Sequence, residues 1–225
     1  MGTQIVAIFD LDGTLYTGHI IHGIALHHRT FRVKRWRLNA FLATHMALYP
    51  LYRAGLIAEA SMREVWARHL SWTIAGWTPE EGERAFQWIT EHYVEPLIRM
   101  DVVARLRAHQ AQGHRVIIVS GTLGPLLGEI GRAIGVHETV GTPLVTHNGR
   151  YTGAVELPVC QGANKVRRLE QHLVDTTEIL WSQSYSYADS MVDLPLLEHV
   201  GNPVAVYPDS QLAALAKTRG WEIID

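Results

Sequence analysis

The most constraining feature of the sequence is the stretch IVAIFDLDGTL at positions 5–15. Its first five residues are apolar, which is typical of a fully buried strand. Asp10 and Asp12 follow one residue apart, and burying them unpaired inside a strand would cost several kcal/mol. We therefore expect both at the carboxyl end of the strand, the edge at which open α/β sheets bind ligands. Two neighbouring anions favour a cation between them, and Mg²⁺ commonly binds one or two carboxylates plus waters.

The composition is typical of a globular protein with one substantial domain or one domain carrying an insertion: 225 residues, 47% hydrophobic and 19% charged. The net charge of -2 gives no general reason to expect nucleic acid as a partner. Cys160 is the single cysteine, which excludes an internal disulfide and fits a reducing compartment. No secretion signal is evident, and the apolar run 38–58 is interrupted by His45 and Arg53. We therefore expect a cytoplasmic protein without a membrane span.

Residues 17–97 are rich in helix formers and have no strong strand pattern, which predicts an all-helical insertion of three or four helices. Capping boxes are predicted at 61–64 and at 78–81, and the second has proline at the favoured first helical position.

From Asp101 onward, predicted helices and strands alternate, which favours right-handed crossovers and a mainly parallel sheet. Helices are predicted at 102–112, 126–134, 164–173 and 194–198, and strands at 115–119, 179–187 and 204–206. The dipeptide Asn148-Gly149 is the strongest hairpin signal in the chain.

Polar groups follow three of the predicted strands: Asp10 with Asp12, Ser120 with Thr122, and Asp189 with Asp193. The carboxyl ends of parallel strands share one edge, so these groups can converge there with Lys165, which stands at the start of a helix. Such a set offers carboxylates for a cation, hydroxyl and amide groups for an anion, and one fixed positive charge. That is the chemistry of phosphoryl transfer, in which a carboxylate can attack phosphorus. Taken singly, the same groups are also typical of turns, helix caps and a solvated lysine.

Four segments resemble, in order and spacing, the four motifs of the haloacid dehalogenase (HAD) superfamily. They are FDLDGTL at 9–15, VSGT at 119–122, Asn164-Lys165, and YADSMVDLP at 187–195. The chain is identified as a phosphoserine-phosphatase-like member of subfamily IB. The resemblance implies an α/β fold in which a Rossmann-like parallel sheet core, residues 1–16 and 98–225, carries a helical C1-type cap inserted after the first strand, residues 17–97.

The resemblance also implies the roles of the four carboxylates. Asp10 would be the nucleophile and a Mg²⁺ ligand. Asp12 would be the general acid/base and would bind the metal through its backbone carbonyl. Asp189 would bind Mg²⁺, and Asp193 would order the waters of the metal.

The remaining motif residues would bind the transferring phosphate. The resemblance assigns this role to Ser120, Gly121 and Thr122. Lys165 would neutralise charge between the nucleophile and the phosphate.

The match to phosphoserine phosphatases is incomplete. Those enzymes carry an acidic residue shortly after the first motif to pair with the substrate amine, whereas positions 16–22 read YTGHIIH. With Ser190 and Val192, the fourth motif resembles that of a subgroup of hydrolases that includes histidinol-phosphate phosphatases and phosphatases of lipid head groups. We expect a Mg²⁺-dependent phosphatase that acts, through an aspartyl-phosphate, on a small phosphorylated metabolite such as phosphoserine or histidinol phosphate. His19, Arg63 and Arg68 are expected to contact the substrate from the cap.

Two alternatives remain open. A basic cluster precedes the apolar run of the cap and surrounds Phe31 and Trp36; its members are Arg29, Arg32, Lys34, Arg35 and Arg37. It is typical either of a solvated helix face over the small core of the cap, or of a helix on an anionic membrane. The second interpretation predicts a membrane-associated lipid-phosphate phosphatase of the phosphatidylglycerophosphate type. The other alternative is a non-catalytic phosphate-binding protein of the same fold.

Overall fold

The computed structural model describes residues 3–173 and 178–225. In these ranges the strands are β1 (Thr3–Gln4), β2 (Val6–Phe9), β3 (Arg115–Leu123), β4 (Glu138–Thr142), β5 (Leu144–His147), β6 (Arg150–Val155), β7 (Glu178–Ile179), β8 (Tyr185–Ala188), β9 (Asn202–Val206) and β10 (Glu222–Ile224). Six of them form one sheet in the order β10-β9-β8-β2-β3-β4. Every neighbouring pair in this sheet is parallel, which confirms the predicted α/β fold.

The α-helices of the same ranges are α1 (Ile20–Thr30), α2 (Arg35–Arg53), α3 (Glu59–His69), α4 (Pro79–Ile89), α5 (Met100–Ala111), α6 (Gly124–Ala133), α7 (Ala163–His172), α8 (Leu194–Leu197) and α9 (Ser210–Arg219). The first four lie between β2 and β3, where the helical insertion is predicted, and a π-helical turn at Thr90–Val94 follows them. The division into a core domain and a cap domain remains a prediction.

Strand β2 lies near the middle of the sheet, between β8 and β3, and its four residues are fully buried. Successive side chains of a strand point to opposite faces. Accordingly, Val6 and Ile8 pack into one hydrophobic cluster, while Ala7 and Phe9 pack into a different one. Phe9 also stacks on Tyr187 of β8 with ring centroids 4.3 Å apart. The apolar run therefore forms the rigid centre of the sheet, and it ends directly at Asp10.

The two predicted capping boxes have different outcomes. At the start of α4, the Thr78 amide donates to Glu81 Oε2 at 2.8 Å, and the Glu81 amide donates to Thr78 Oγ1 at 3.2 Å. The prediction at Ser61 is wrong, because α3 begins at Glu59 and Ala58 is the extended residue before it. Ser61 therefore lies inside the first turn, where the backbone is already helical.

The predicted hairpin is confirmed between β5 and β6, which pair antiparallel. Asn148 and Gly149 both have positive φ, 49° and 70°, as a tight two-residue hairpin turn requires. The hairpin is fastened to the segment between α3 and α4. Ser71 Oγ donates to the Gly153 carbonyl at 2.7 Å, and the Tyr151 amide donates to the Trp77 carbonyl at 2.8 Å.

The predicted strand 179–187 is interrupted. The structure divides it into β7 and β8, which are separated by a 3₁₀ turn at Trp181–Gln183. Ser184 explains the break, because its hydroxyl donates to the Leu180 carbonyl at 2.8 Å and accepts from the Val6 amide at 3.1 Å. Strands β4 and β10 and helix α9 are elements that the sequence analysis does not predict.

Membrane crossing is not supported by the helices of residues 3–173 and 178–225. None of them combines the length and the apolar character that a bilayer span requires. The apolar run 38–58 lies mostly in α2, which contains Pro50 near its end. His45, near the middle of this helix, is buried with an exposed fraction of 1%.

Two buried histidines make the stability of the fold depend on pH. His109 Nε2 lies 2.8 Å from the Tyr187 hydroxyl and Nδ1 lies 2.8 Å from His114 Nδ1. Burial, with a smaller contribution from His114, lowers the pKa of His109 from 6.5 to about 4. Burial similarly lowers the pKa of His27 to about 4. A group with a depressed pKa in the folded state is protonated first in the unfolded chain, so its stabilising effect is complete above pH 6.5 and is lost on acidification towards pH 4.

We predict that the titration of these two histidines lowers the free energy of unfolding of the protein as the pH falls from about 6.5 to 5. Urea unfolding at several pH values measures this fall. The variant His109→Gln keeps a polar group for Tyr187 but does not titrate, so its decrease over the same window should be smaller. Equal pH dependence in the variant and the original protein would contradict the assignment.

Candidate active site

The structure brings the predicted motif residues together at the carboxyl edge of the sheet. Asp10 follows β2, and Asp189 follows β8 next to it. Carboxylate oxygens of Asp10, Asp189 and Asp193 lie within 4.8 Å of one another. Lys165, in the first turn of α7, points into the same group. The predicted convergence of the strand ends is therefore present, although the chemical role of each residue remains a prediction.

Lys165 is the positive centre of this group, and its side chain is almost fully buried. Its Nζ lies 2.6 Å from Asp10 Oδ1 and 2.8 Å from Asp193 Oδ1. Burial by itself lowers the pKa of a lysine, but the attraction of Asp10 and Asp193 outweighs it and raises the pKa of Lys165. The lysine therefore stays charged. It fixes the position of Asp10, and Asp193 contacts it directly.

The positive charge of Lys165 does not neutralise the combined negative charge of the surrounding carboxylates. Burial, followed by repulsion from Asp10 and Asp193, raises the pKa of Asp189 from 3.8 to about 7. Burial also raises the pKa of Asp193, although Lys165 opposes this change. Ionising all the carboxylates together is thus unfavourable until a cation joins them. The donors are all carboxylate oxygens, which are the ligands that hard divalent cations such as Mg²⁺ prefer, so this cluster fits such an ion.

Gly13 and Thr14 lie in the loop after β2 and contact the carboxylates that follow β2 and β8. Gly13 has φ of 84°, and a Cβ at this position would overlap the carboxylate of Asp189. Thr14 Oγ1 is placed to donate to Asp10 Oδ2 at 3.2 Å or to Asp189 Oδ1 at 3.5 Å. The glycine therefore provides space for Asp189, and the threonine lies between the two carboxylates.

Asp12 is held by three donors from different parts of the chain. Its Oδ1 accepts from the Tyr16 hydroxyl at 2.5 Å and from the Ile20 amide at 2.7 Å. Its Oδ2 accepts from Thr122 Oγ1 at 3.3 Å. Ile20 is the first residue of α1, so this carboxylate also satisfies a free amide at the start of that helix. Tyr16 was not among the predicted site residues, because a tyrosine four positions after an aspartate is an ordinary pattern.

The end of β3 bulges where the predicted phosphate-binding residues lie. The register of β3 with β4 shifts between Val119 and Leu123. Ser120 is buried, and its Oγ accepts from the Thr122 amide at 3.2 Å. A Cβ on Gly121 would lie 2.5 Å from Gln161 Oε1, so a larger residue would displace that side chain. The Gly121 carbonyl accepts from Thr142 Oγ1 at 2.9 Å, a supporting contact that no sequence signal predicts.

A cavity of about 550 Å³ extends from this group to the helical segment. Its lining includes the predicted residues His19 and Arg63, whereas Arg68 is exposed and does not line it. The remaining lining of helices α2 and α3 was not predicted, and its members are His45, Met46, Tyr49, Tyr52, Met62, Trp66 and Ala67. Within residues 3–173 and 178–225, the carboxylates that line the cavity are those of Asp10, Asp12 and Asp193.

This arrangement defines the class of the protein. A parallel α/β sheet holds a buried carboxylate against a charged lysine, next to an acidic cluster and below a cavity of ligand size. These are the groups that a site for phosphoryl transfer requires: a fixed positive charge, carboxylates for a cation, and space for a substrate.

Comparison with known proteins identifies the family. The family model of the haloacid dehalogenase-like hydrolases matches residues 7–198, and the chain belongs to this family. It is 30% identical over 225 residues to a histidinol-phosphatase from Neisseria meningitidis serogroup C (strain 8013), which covers 98% of both chains. It is 27% identical over 226 residues to a phosphoserine phosphatase from Mycobacterium tuberculosis (strain ATCC 25618 / H37Rv), covering 97% of this chain and 70% of the relative.

A solved structure has the same fold. The crystal structure of a protein of unknown function from Bordetella pertussis Tohama I superposes with a TM-score of 0.83 and 28% sequence identity, over 99% of both chains. The chain is thus a HAD hydrolase of the phosphatase type, as its motifs predict.

We predict that Gly13→Ala destabilises the protein and reduces its hydrolase activity, because the new Cβ overlaps Asp189 and the backbone has positive φ. Gly113→Ala is the matched control, since Gly113 has φ of 75° with no atom within 4 Å of an added Cβ. Urea unfolding should show a loss of about 1 kcal/mol for the control and a larger loss for Gly13→Ala. Similar losses in both variants would show that the contact with Asp189 has no energetic importance.

Proposed function

We propose that this hydrolase is a Mg²⁺-dependent phosphatase that releases phosphate from a small phosphorylated metabolite through a phospho-Asp10 intermediate. The observation that carries the proposal is the buried contact of 2.6 Å between Asp10 and Lys165, next to the acidic cluster of Asp10, Asp189 and Asp193. When bound there, Mg²⁺ would neutralise charge on the carboxylates and on the phosphate. Asp10, Asp189 and the Asp12 carbonyl would hold it, with Asp193 close by.

The proposed reaction has two displacements at phosphorus. In the first, a carboxylate oxygen of Asp10 forms a bond to phosphorus while the bond to the leaving oxygen breaks, and Asp12 gives that oxygen a proton. In the second, a water molecule attacks phosphorus, Asp12 takes a proton from it, and the bond to Asp10 breaks. Free phosphate leaves and both aspartates return to their starting states.

The surrounding residues support this sequence by position and charge. Ser120, Gly121 and Thr122 would donate to the phosphoryl oxygens, and Lys165 would offset the charge that develops between nucleophile and phosphate. Asp12 contacts the first residue of α1, so the position of the general acid depends on the helical segment. Movement of that segment would admit substrate and then exclude water.

The cavity offers apolar and aromatic surface to the leaving group. Away from the carboxylates and the phosphate-binding residues, its lining in the described residues combines apolar and aromatic side chains with three histidines, Arg63 and Gln161. The relative that covers 98% of both chains is a histidinol-phosphatase. Both observations favour a ring-bearing substrate such as histidinol phosphate over phosphoserine.

We predict that the protein releases phosphate from monoesters in the presence of Mg²⁺ and that EDTA abolishes the release. A panel of phosphoserine, histidinol phosphate, a phosphorylated glycerol lipid, sugar phosphates and an aryl phosphate would measure it. Asp10→Asn should lower kcat by about 10³-fold or more with an unchanged fold, because an amide is a poor nucleophile. Asp225→Asn, at the exposed last residue, is the charge-matched control.

Two outcomes of this assay contradict the proposal. Full activity of Asp10→Asn would exclude Asp10 as the nucleophile. A protein that binds phosphate and Mg²⁺ but releases nothing from any monoester would instead be the non-catalytic binding protein of the same fold.

A second candidate function rests on the surface of the helical segment. Residues 13–58 contain six lysines and arginines and no acidic residue. In the same stretch, Trp36, Met46 and Leu56 have exposed fractions of 67%, 59% and 74%. Cations beside exposed apolar side chains are typical of a surface that binds anionic lipids. This surface favours a phosphatase that acts on a lipid phosphate at a membrane.

Vesicle co-sedimentation tests this second function. Binding to vesicles with anionic lipid, but not to neutral vesicles, is the expected result, and the double variant Arg32→Glu/Arg35→Glu should lose it. The double variant Arg167→Glu/Lys217→Glu makes the same charge change at exposed positions on α7 and α9 and should bind normally. Equal loss in both double variants would indicate an effect of net charge alone.

A further inference from the structure

The wall of the cavity that α2 contributes contains a histidine that the proposed mechanism does not use. His45 has an exposed fraction of 1%, yet it lines the same cavity as Asp10 and Lys165. It lies near the middle of α2, where an apolar side chain could be buried without the free-energy cost of removing a polar group from water. A buried imidazole at this position therefore needs a partner.

The packing around His45 holds its ring in one orientation. The ring centroid lies 4.1 Å from that of Phe41, 5.0 Å from that of Trp66 and 5.3 Å from that of His69. His45 Nδ1 lies 2.6 Å from the Phe41 carbonyl oxygen. A carbonyl oxygen only accepts hydrogen bonds, so Nδ1 carries the proton and donates it.

The other nitrogen of the ring is left without a partner. In the described residues, His45 Nε2 is buried and makes no hydrogen bond. In the tautomer that carries its proton on Nδ1, Nε2 has a lone pair and acts as an acceptor. Buried polar atoms in folded proteins nearly always have a hydrogen-bond partner. A binding site that contains an unpaired buried group therefore strongly favours a ligand that forms a hydrogen bond with that group.

We propose that His45 is a specificity-determining residue, whose Nε2 accepts a hydrogen bond from an N–H or O–H on a flat ring of the leaving group. The aromatic neighbours Phe41 and Trp66 fix the imidazole, and Trp66, Met46 and Tyr49 give the cavity apolar surface for such a ring. The substrate class is a phosphate monoester with a ring that carries a hydrogen-bond donor. This inference rests on the proposed phosphatase function and adds the feature of the substrate that is recognised.

The experiment compares two substrates that share the amine and the phosphate and differ in the ring, which carries a hydrogen-bond donor in one of them. Histidinol phosphate carries an imidazole N–H, and phenylalaninol phosphate has the same amine and phosphate with a ring that lacks a donor. In the original protein, kcat/KM should be about tenfold or more higher for histidinol phosphate. The ratio of the two kcat/KM values measures recognition of the donor independently of overall catalytic efficiency.

Two substitutions of His45 separate its nitrogens. In His45→Asn, the side-chain amide can still donate to the Phe41 carbonyl, but nothing replaces Nε2. In His45→Gln, the longer amide places an oxygen acceptor near the position of Nε2. The substrate ratio should fall about tenfold in His45→Asn, mainly through KM, and His45→Gln should recover part of it. His147→Asn, on the exposed end of β5, is a matched control and should keep the ratio.

The outcomes distinguish this inference from the proposed function. A ratio that stays unchanged in His45→Asn, or that is near one in the original protein, overturns the role of His45 while leaving the phosphatase intact. Absence of all turnover with Mg²⁺ contradicts the proposed function instead. In that case calorimetric binding of histidinol and phenylalaninol tests His45 without catalysis. The original protein should bind histidinol about tenfold more tightly than His45→Asn does, and equal affinity would overturn the inference.

Discussion

The interaction on which the site depends is the buried contact of Lys165 with Asp10 and Asp193. Strand β2 brings a carboxylate to the centre of the sheet edge, and strand β8 brings a second one beside it. One buried lysine offsets part of this charge, and the raised pKa of Asp189 reflects the remainder. The excess of negative charge is what makes the edge suitable for a hard cation and, with it, for a phosphate group.

The helical segment is tied to this edge at one carboxylate. Asp12 accepts from the buried Tyr16 and from the first amide of α1, and Thr122 of β3 contacts its other oxygen. The residue expected to move protons is thus bonded both to the sheet and to the helices above it. A change in the position of α1 would alter the surroundings of Asp12, which gives the helical segment a direct physical connection to the proposed chemistry.

The agreement between sequence and structure differs from one part of the chain to another. Strand β2, the Asn148-Gly149 hairpin and the Thr78 cap depend on neighbouring residues, and each is confirmed. The prediction at Ser61 is wrong, and the strand 179–187 is divided, because packing and the contacts of Ser184 decide those positions. Arg63 and Arg68 are both predicted to lie near the substrate; Arg63 lines the cavity with Trp66, whereas Arg68 is exposed outside it.

The sequence by itself determined the α/β class, the family and the polar groups that meet at the sheet edge. These follow from short motifs, because a buried strand followed by charged residues has few possible positions in a parallel sheet. Only the tertiary structure decided which side chains support them: Tyr16 on Asp12, Thr142 on Gly121, and His45 in the cavity wall. The Thr142 contact depends on the packing of separate strands, the Tyr16 contact on the path of the loop after β2, and the position of His45 on which side of α2 lines the cavity. Isolated tyrosine, threonine and histidine residues carry no local pattern that reveals these contacts.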